Sequence, residues 1–145
     1  MSGWAIRKGR PSDLDAVKAL ADANKAAIGF VLRPALVAAI ERGWLLVVEA
    51  EGAILGFANY RHRRDQQSTL YEICVAEPYR GQGIGRALMD ALVAEAQALG
   101  KTWIQLKCPV DLPANRFYQR LGCELIGTED GRRRPLNIWR LRLNP

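Results

Sequence analysis

The stretch Val75-Ala76-Glu77-Pro78-Tyr79-Arg80-Gly81-Gln82-Gly83-Ile84-Gly85-Arg86 decides the fold. Before it, Leu70 to Val75 reads as a largely apolar strand. After it, the spacing predicts a helix to Leu99, with Ile84, Leu88, Ala91, Leu92 and Leu99 on one face and Arg86, Asp90 and Gln97 opposite. Glu95 is an exception on the apolar face, open to snorkelling or to pairing with a cation, and Gly100 ends the helix. A strand that turns straight into a helix aims successive backbone N–H groups and the positive helix end at one spot. Glycines there let a bulky anion approach the backbone. The stretch therefore reads as a phosphate cradle, a bare tight packing turn being the alternative. A P-loop would need Lys-Ser/Thr where Arg86-Ala87 stands, and a dinucleotide fingerprint would need glycine at position 86. Neither fits.

Working outward, Ala5 to Arg10 is a short strand, and Ser12 with Asp15 reads as a capping box opening a helix to about Asn24, its apolar face Leu14, Val17, Leu20 and Ala21. Pro34 starts a second helix with Leu36, Val37 and Ile40, ended by Gly43. Trp44 to Ala50 and Ala53 to Arg61 form a hairpin around Glu51-Gly52, and Arg61 to Ser68 is a polar loop. Beyond the long helix come a strand at Thr102 to Cys108, a helix at Ala114 to Leu121, a strand at Cys123 to Thr128 and a last strand at Leu136 to Leu143. This order predicts a mixed α/β (α+β) fold with an antiparallel start and a central β-α-β crossover.

Length fits one domain, residues 1–145, since the chain has 145 residues. A hydrophobic share of 49% against 25% charged excludes a disordered chain. Apolar runs such as Trp44 to Val48 are far below the ~18 residues of a membrane span. Met1-Ser2-Gly3-Trp4 shows no signal-peptide apolar region, so no membrane contact and a cytoplasmic location are expected. Cys74, Cys108 and Cys123 are widely spaced and odd in number, which suits reduced core thiols better than disulfides. With His62 the single histidine, a metal centre or a Ser/His/Asp triad is hard to build, and no metal is expected. The net charge of +6 favours anionic partners without choosing among them. No nucleic-acid motif appears and aromatics are not interleaved with basic residues, so no nucleic acid is expected.

Arg80-x-x-Gly83-x-Gly85 resembles the acetyl-CoA signature, Gln/Arg-x-x-Gly-x-Gly/Ala, of the GNAT superfamily of N-acetyltransferases. Asn115-Arg116-Phe117-Tyr118-Gln119-Arg120-Leu121-Gly122 is similar to that family's later Asn/Tyr helix. The resemblance implies a mostly antiparallel twisted sheet with a splayed strand pair. It also implies acetyl-CoA as donor co-substrate, and direct attack by a primary amine of a small molecule or protein in a ternary complex. Backbone amides of Gly81, Gln82, Gly83, Ile84, Gly85 and Arg86 would then hold the pyrophosphate, with Arg80 opening the loop. Ile73, Cys74 and Val75 would line the pantetheine arm, the Val75 amide would face the oxyanion, and Asn115 would bond the pantetheine or a bridging water. By the same resemblance Tyr118 is the general acid, against the plainer reading of a core tyrosine packed beside Phe117.

An ammonium must lose a proton before it attacks, so a carboxylate or a water it polarises is expected as base. Glu72, in the middle of an apolar strand, is the first candidate, its plainer reading a solvated or arginine-paired residue. Gln105, on the following strand, cannot accept a proton, and Asp111 and His62 are weaker alternatives. By resemblance the acceptor lies between the region of Phe30 and the hairpin of Arg132-Arg133-Arg134, which also reads as a solvated turn. A non-catalytic acyl-CoA binding domain is the competing function. As a family habit the final strand can pair across a homodimer, although Trp139, Leu141 and Leu143 also fit an ordinary core face.

Overall fold

Residues 3–144 of the computed structural model are described; Met1 and Ser2, on which part of the N-terminal reading rests, and Pro145 lie outside the described residues. The elements follow in the order β1 (Ala5–Lys8), α1 (Leu14–Ala23), α2 (Lys25–Ile28), α3 (Arg33–Arg42), β2 (Leu45–Ala50), β3 (Ala53–His62), β4 (Gln67–Val75), α4 (Ile84–Ala98), β5 (Trp103–Pro109), α5 (Ala114–Arg120), β6 (Glu124–Glu129) and β7 (Leu136–Arg142). The hydrogen-bonded strand order is β1-β2-β3-β4-β5-β7-β6. Of the recorded registers only that of β4 with β5 is parallel; β1 with β2, β2 with β3, β5 with β7 and β6 with β7 are antiparallel. This is the mixed sheet with an antiparallel start and a central crossover that the element order predicts, and the mostly antiparallel sheet that the resemblance implies. The chain forms two compact units, one of residues 1–61 and 72–92, the other of residues 62–71 and 93–145.

In the first unit the apolar stripes of α1 (Val17, Ala21) and α3 (Leu36, Ala39) close over Leu45 and Val47 of β2, Phe57 of β3 and Cys74 of β4. Each fully buried large apolar side chain contributes about 1.5–3 kcal/mol. The entry to α1 differs from the expected Ser12/Asp15 box. Pro11–Asp13 forms a 3-10 turn, so the carboxylate that reaches back is Asp13, accepting the Arg10 N–H at 2.7 Å. Asp13 also takes a two-pronged contact from Arg7, at 2.7 and 3.0 Å, and this guanidinium holds its carboxyl below the usual carboxylate range. Asp15 instead meets Arg33 at 2.8 Å.

In the second unit β7 lies between β5 and β6, bonded on both sides. Trp139 and Leu143 are buried as ordinary core. The polar loop is also shorter than expected, only 63–66, since His62 extends β3 and Gln67 starts β4. His62 is drawn in by two contacts, Nδ1 to Ser68 Oγ and Nε2 to Glu95 Oε2, each 2.6 Å. That pairing accounts for the Glu95 exception on the apolar face of α4. Leu99 corrects the helix reading: α4 ends at Ala98, and the leucine past its end is 56% exposed. Among the described residues, no helix is long and apolar enough to cross a membrane. Cys74, Cys108 and Cys123 are buried, and burial pushes each thiol up to about 11, so all three stay protonated at neutral pH.

Candidate active site

The turn before α4 is built by backbone. Gly81 has φ +80° and Gly83 φ +84°, and a Cβ at either would meet nothing within 4 Å. Conformation, not space, calls for glycine at both positions. The first α4 ladder bond runs from the Ala87 N–H to Gly83 O at 3.0 Å, so the amides of Ile84, Gly85 and Arg86 precede the ladder. Ile84 is 1% exposed and anchors the helix start. Gly81, Gln82, Gly83 and Arg86 are exposed. Arg80 turns back on the fold: Nε donates to Val75 O at 3.1 Å and Nη2 to Asn24 Oδ1 at 2.5 Å. It ties the turn to the end of β4 and to the junction of α1 and α2.

Glu72 lies on β4 in the same unit, half-buried, and accepts a 2.7 Å hydrogen bond from Asn59 Nδ2 of β3. Burial pushes its carboxyl up, and the Asn59 bond, which favours the charged form, pulls it part of the way back. The Cys74 side chain is buried in the core with α1 and α3, so of this residue only the backbone can meet a pantetheine arm. Two residues here escaped the sequence reading. A Cβ on Gly56 would sit 2.8 Å from Cys74 O and 3.5 Å from Val75 Cα, so only glycine lets β3 pass this close to the end of β4. An isolated glycine within a strand pattern is the clue that could have found it. Asn59 offered only a polar residue in an apolar strand.

The second unit holds the other half of the predicted set. The β4–β5 register runs from Gln67↔Trp103 to Thr69↔Gln105, while β5 continues to Pro109. A cleft opens where this pairing stops, lined by Thr69, Leu70, Tyr71, Gln105, Leu106 and Lys107. Tyr118 of α5 is 7% exposed and meets Phe117 edge-to-face, centroids 5.4 Å apart. Asn115 departs from the ligand role expected of it. Its Nδ2 donates to Pro109 O and Leu112 O, each at 2.8 Å, and its Oδ1 accepts from Trp139 Nε1 at 2.8 Å and Asn137 Nδ2 at 3.0 Å. The amide is saturated by its own unit, and it braces α5. The weaker bases are engaged elsewhere, Asp111 with Arg134 at 3.2 Å and His62 with Ser68 and Glu95. Ser68–His62–Glu95 forms the contacts of a nucleophile triad, but Ser68 is 0% exposed and no substrate can reach it. Among the described residues, no cluster of His, Cys, Asp or Glu could hold a metal ion.

Residues 19–123 match the acetyltransferase (GNAT) family. The chain is 35% identical over 95 residues to the 5-NmdU N-acetyltransferase of Pseudomonas phage PaMx11, an overlap of 65% of this chain and 66% of that one. It spans between 37% and 66% of the length of three curated relatives that it matches. Among solved structures, a ribosomal-protein-alanine N-acetyltransferase from Brucella melitensis superposes with a TM-score of 0.78 at 28% identity, covering 96% of this chain and 99% of that one. The Salmonella typhimurium protein yncA, solved with its cofactor acetyl-CoA, shares the fold at a TM-score of 0.81 and 22% identity, over 98% and 95% of the two chains.

Proposed function

Because the chain belongs to the acetyltransferase (GNAT) family, we propose that it moves the acetyl group of acetyl-CoA to a primary amine of a small molecule or protein. Residues 1–145 act as one N-acetyltransferase domain, working in the cytoplasm. The observation that carries this reading is the exposed turn in which Gly81 and Gly83 hold left-handed φ just before the free amides of α4. Amides 81–86 hold the pyrophosphate and the backbone of Ile73 to Val75 meets the pantetheine arm. Arg80 acts by fixing the turn, and Asn115 by fixing α5.

In the transfer, Glu72, directly or through a water, takes a proton from the acceptor ammonium. The neutral nitrogen then attacks the thioester carbonyl carbon, forming the C–N bond. The resulting oxyanion accepts the Val75 N–H. Collapse breaks the C–S bond, the proton left on nitrogen passes to solvent, and the thiolate takes its proton from Tyr118, whose phenol is the acid. This direct route needs no acylated protein group, and the core position of Cys74 suits that. A thiol-release assay with acetyl-CoA and a panel of amines tests the reading. Amine-dependent release with one acetylated product per thiol is expected; tight coenzyme binding without transfer to any amine would favour the non-catalytic binding domain.

A further inference from the structure

Arg140 of β7 is only partly used by the protein. It stands directly across from Gln105 of β5, and its Nη2 donates to Gln105 Oε1 at 2.9 Å. The guanidinium lies 4.3 Å from the centroid of the Trp103 ring, which fixes its plane. Its Nε–H is buried with no acceptor. Glu124, its register neighbour on β6, is exposed, and among the described residues no ion pair joins the two. A guanidinium has five donors in one plane and matches the two oxygens of a carboxylate, so a stacked arginine with a single side-chain acceptor among the described residues is an incomplete site. Gln105, its acceptor, also lines the cleft where the β4–β5 pairing stops. Lys107, on the same cleft, is already paired with Glu129 at 3.0 Å.

We propose that Arg140, aligned by Trp103 and Gln105, binds a carboxylate carried by the acceptor, so that preferred acceptors are amines that also bear an acidic group. The proposal rests on the acetyltransferase reading above, and it predicts binding that can be seen without turnover. The full chain, labelled with 15N, is titrated with succinate, inorganic phosphate and butylamine while the Arg140 Nε–H resonance, assigned through R140K, is followed. A saturable shift with succinate, smaller with phosphate and absent with butylamine, is expected. No shift with succinate, an equal shift with butylamine, or a shift with phosphate alone overturns the carboxylate site. In the thiol-release assay, peptides with one amine and a free C-terminal carboxylate are compared with their amides. The wild type should favour the acid at least tenfold in kcat/KM, R140Q should bring that ratio close to one, and R140K, which keeps the charge without the planar fork, should fall between. A ratio unchanged in R140Q overturns the assignment to the acceptor. Failure to acetylate any amine of the panel, these peptides included, removes the transferase reading, and the Nε–H titration then decides the site alone.

Discussion

The turn at residues 80–86 and the Asn59–Glu72 pair belong to the same unit, yet they are made differently. The turn is contiguous and the groups proposed to hold the ligand are backbone amides, so the demand it makes on sequence is glycine where φ is +80° and +84°. The pair joins residues 13 apart on two strands, and the environment of its carboxylate comes from packing that no local pattern records. A site written in backbone conformation can be read from one stretch of chain. A site written in side-chain environment can be read only once the strands are paired.

The largest effects should come from side-chain chemistry. Glu72→Gln removes the proposed base and should lower kcat by about a hundredfold at neutral pH, within the usual range for a lost general base. Acetyl-CoA affinity measured by calorimetry should hold, because the turn is untouched. Tyr118→Phe should lower turnover more than about tenfold, again with little change in coenzyme affinity; full retention of rate in pre-steady-state assays would remove Tyr118 from the mechanism.

The glycines sharpen the contrast within the backbone. Gly56→Ala places a Cβ 2.8 Å from a backbone oxygen, and should cost about 1–3 kcal/mol in chemical denaturation by forcing the two strands apart. Gly83→Ala meets open space and carries only the left-handed penalty of roughly 1–2 kcal/mol, so its clearer readout is weaker acetyl-CoA binding. Equal losses of stability in the two variants would show that φ and contact do not separate these positions.

The smallest effect concerns pH. The base must be deprotonated to act, so kcat/KM should rise with pH through the Glu72 pKa, which burial raises. Asn59 stabilises the charged carboxylate, so Asn59→Leu should move this acid limb to higher pH with a smaller loss at the plateau. A downward shift would contradict the Asn59–Glu72 account.

Element order and fold class were legible because apolar periodicity, Pro34, and the glycines at 43, 81 and 83 are local instructions. The capping residue at α1 was not, because the 3-10 turn moved the reciprocating carboxylate from Asp15 to Asp13, where Arg7 also reaches it. The environments of Glu95 and His62 depended on one another, and a helical wheel sees only one of them. Asn115 was read from its motif as a ligand contact; its four internal partners come from β5, β7 and the loop before α5, at distances no motif encodes.

The central claim is that the glycine turn is a coenzyme cradle, and the most direct test is the melting temperature with acetyl-CoA, using ATP and NAD as controls. At about 100 times its dissociation constant a ligand adds ~2.7 kcal/mol, which corresponds to a rise on the order of 8 °C for a domain of this size. A rise with acetyl-CoA alone, lost in Gly83→Ala, is the result this account predicts. An unchanged melting temperature with acetyl-CoA, or an equal rise with ATP or NAD, would contradict it.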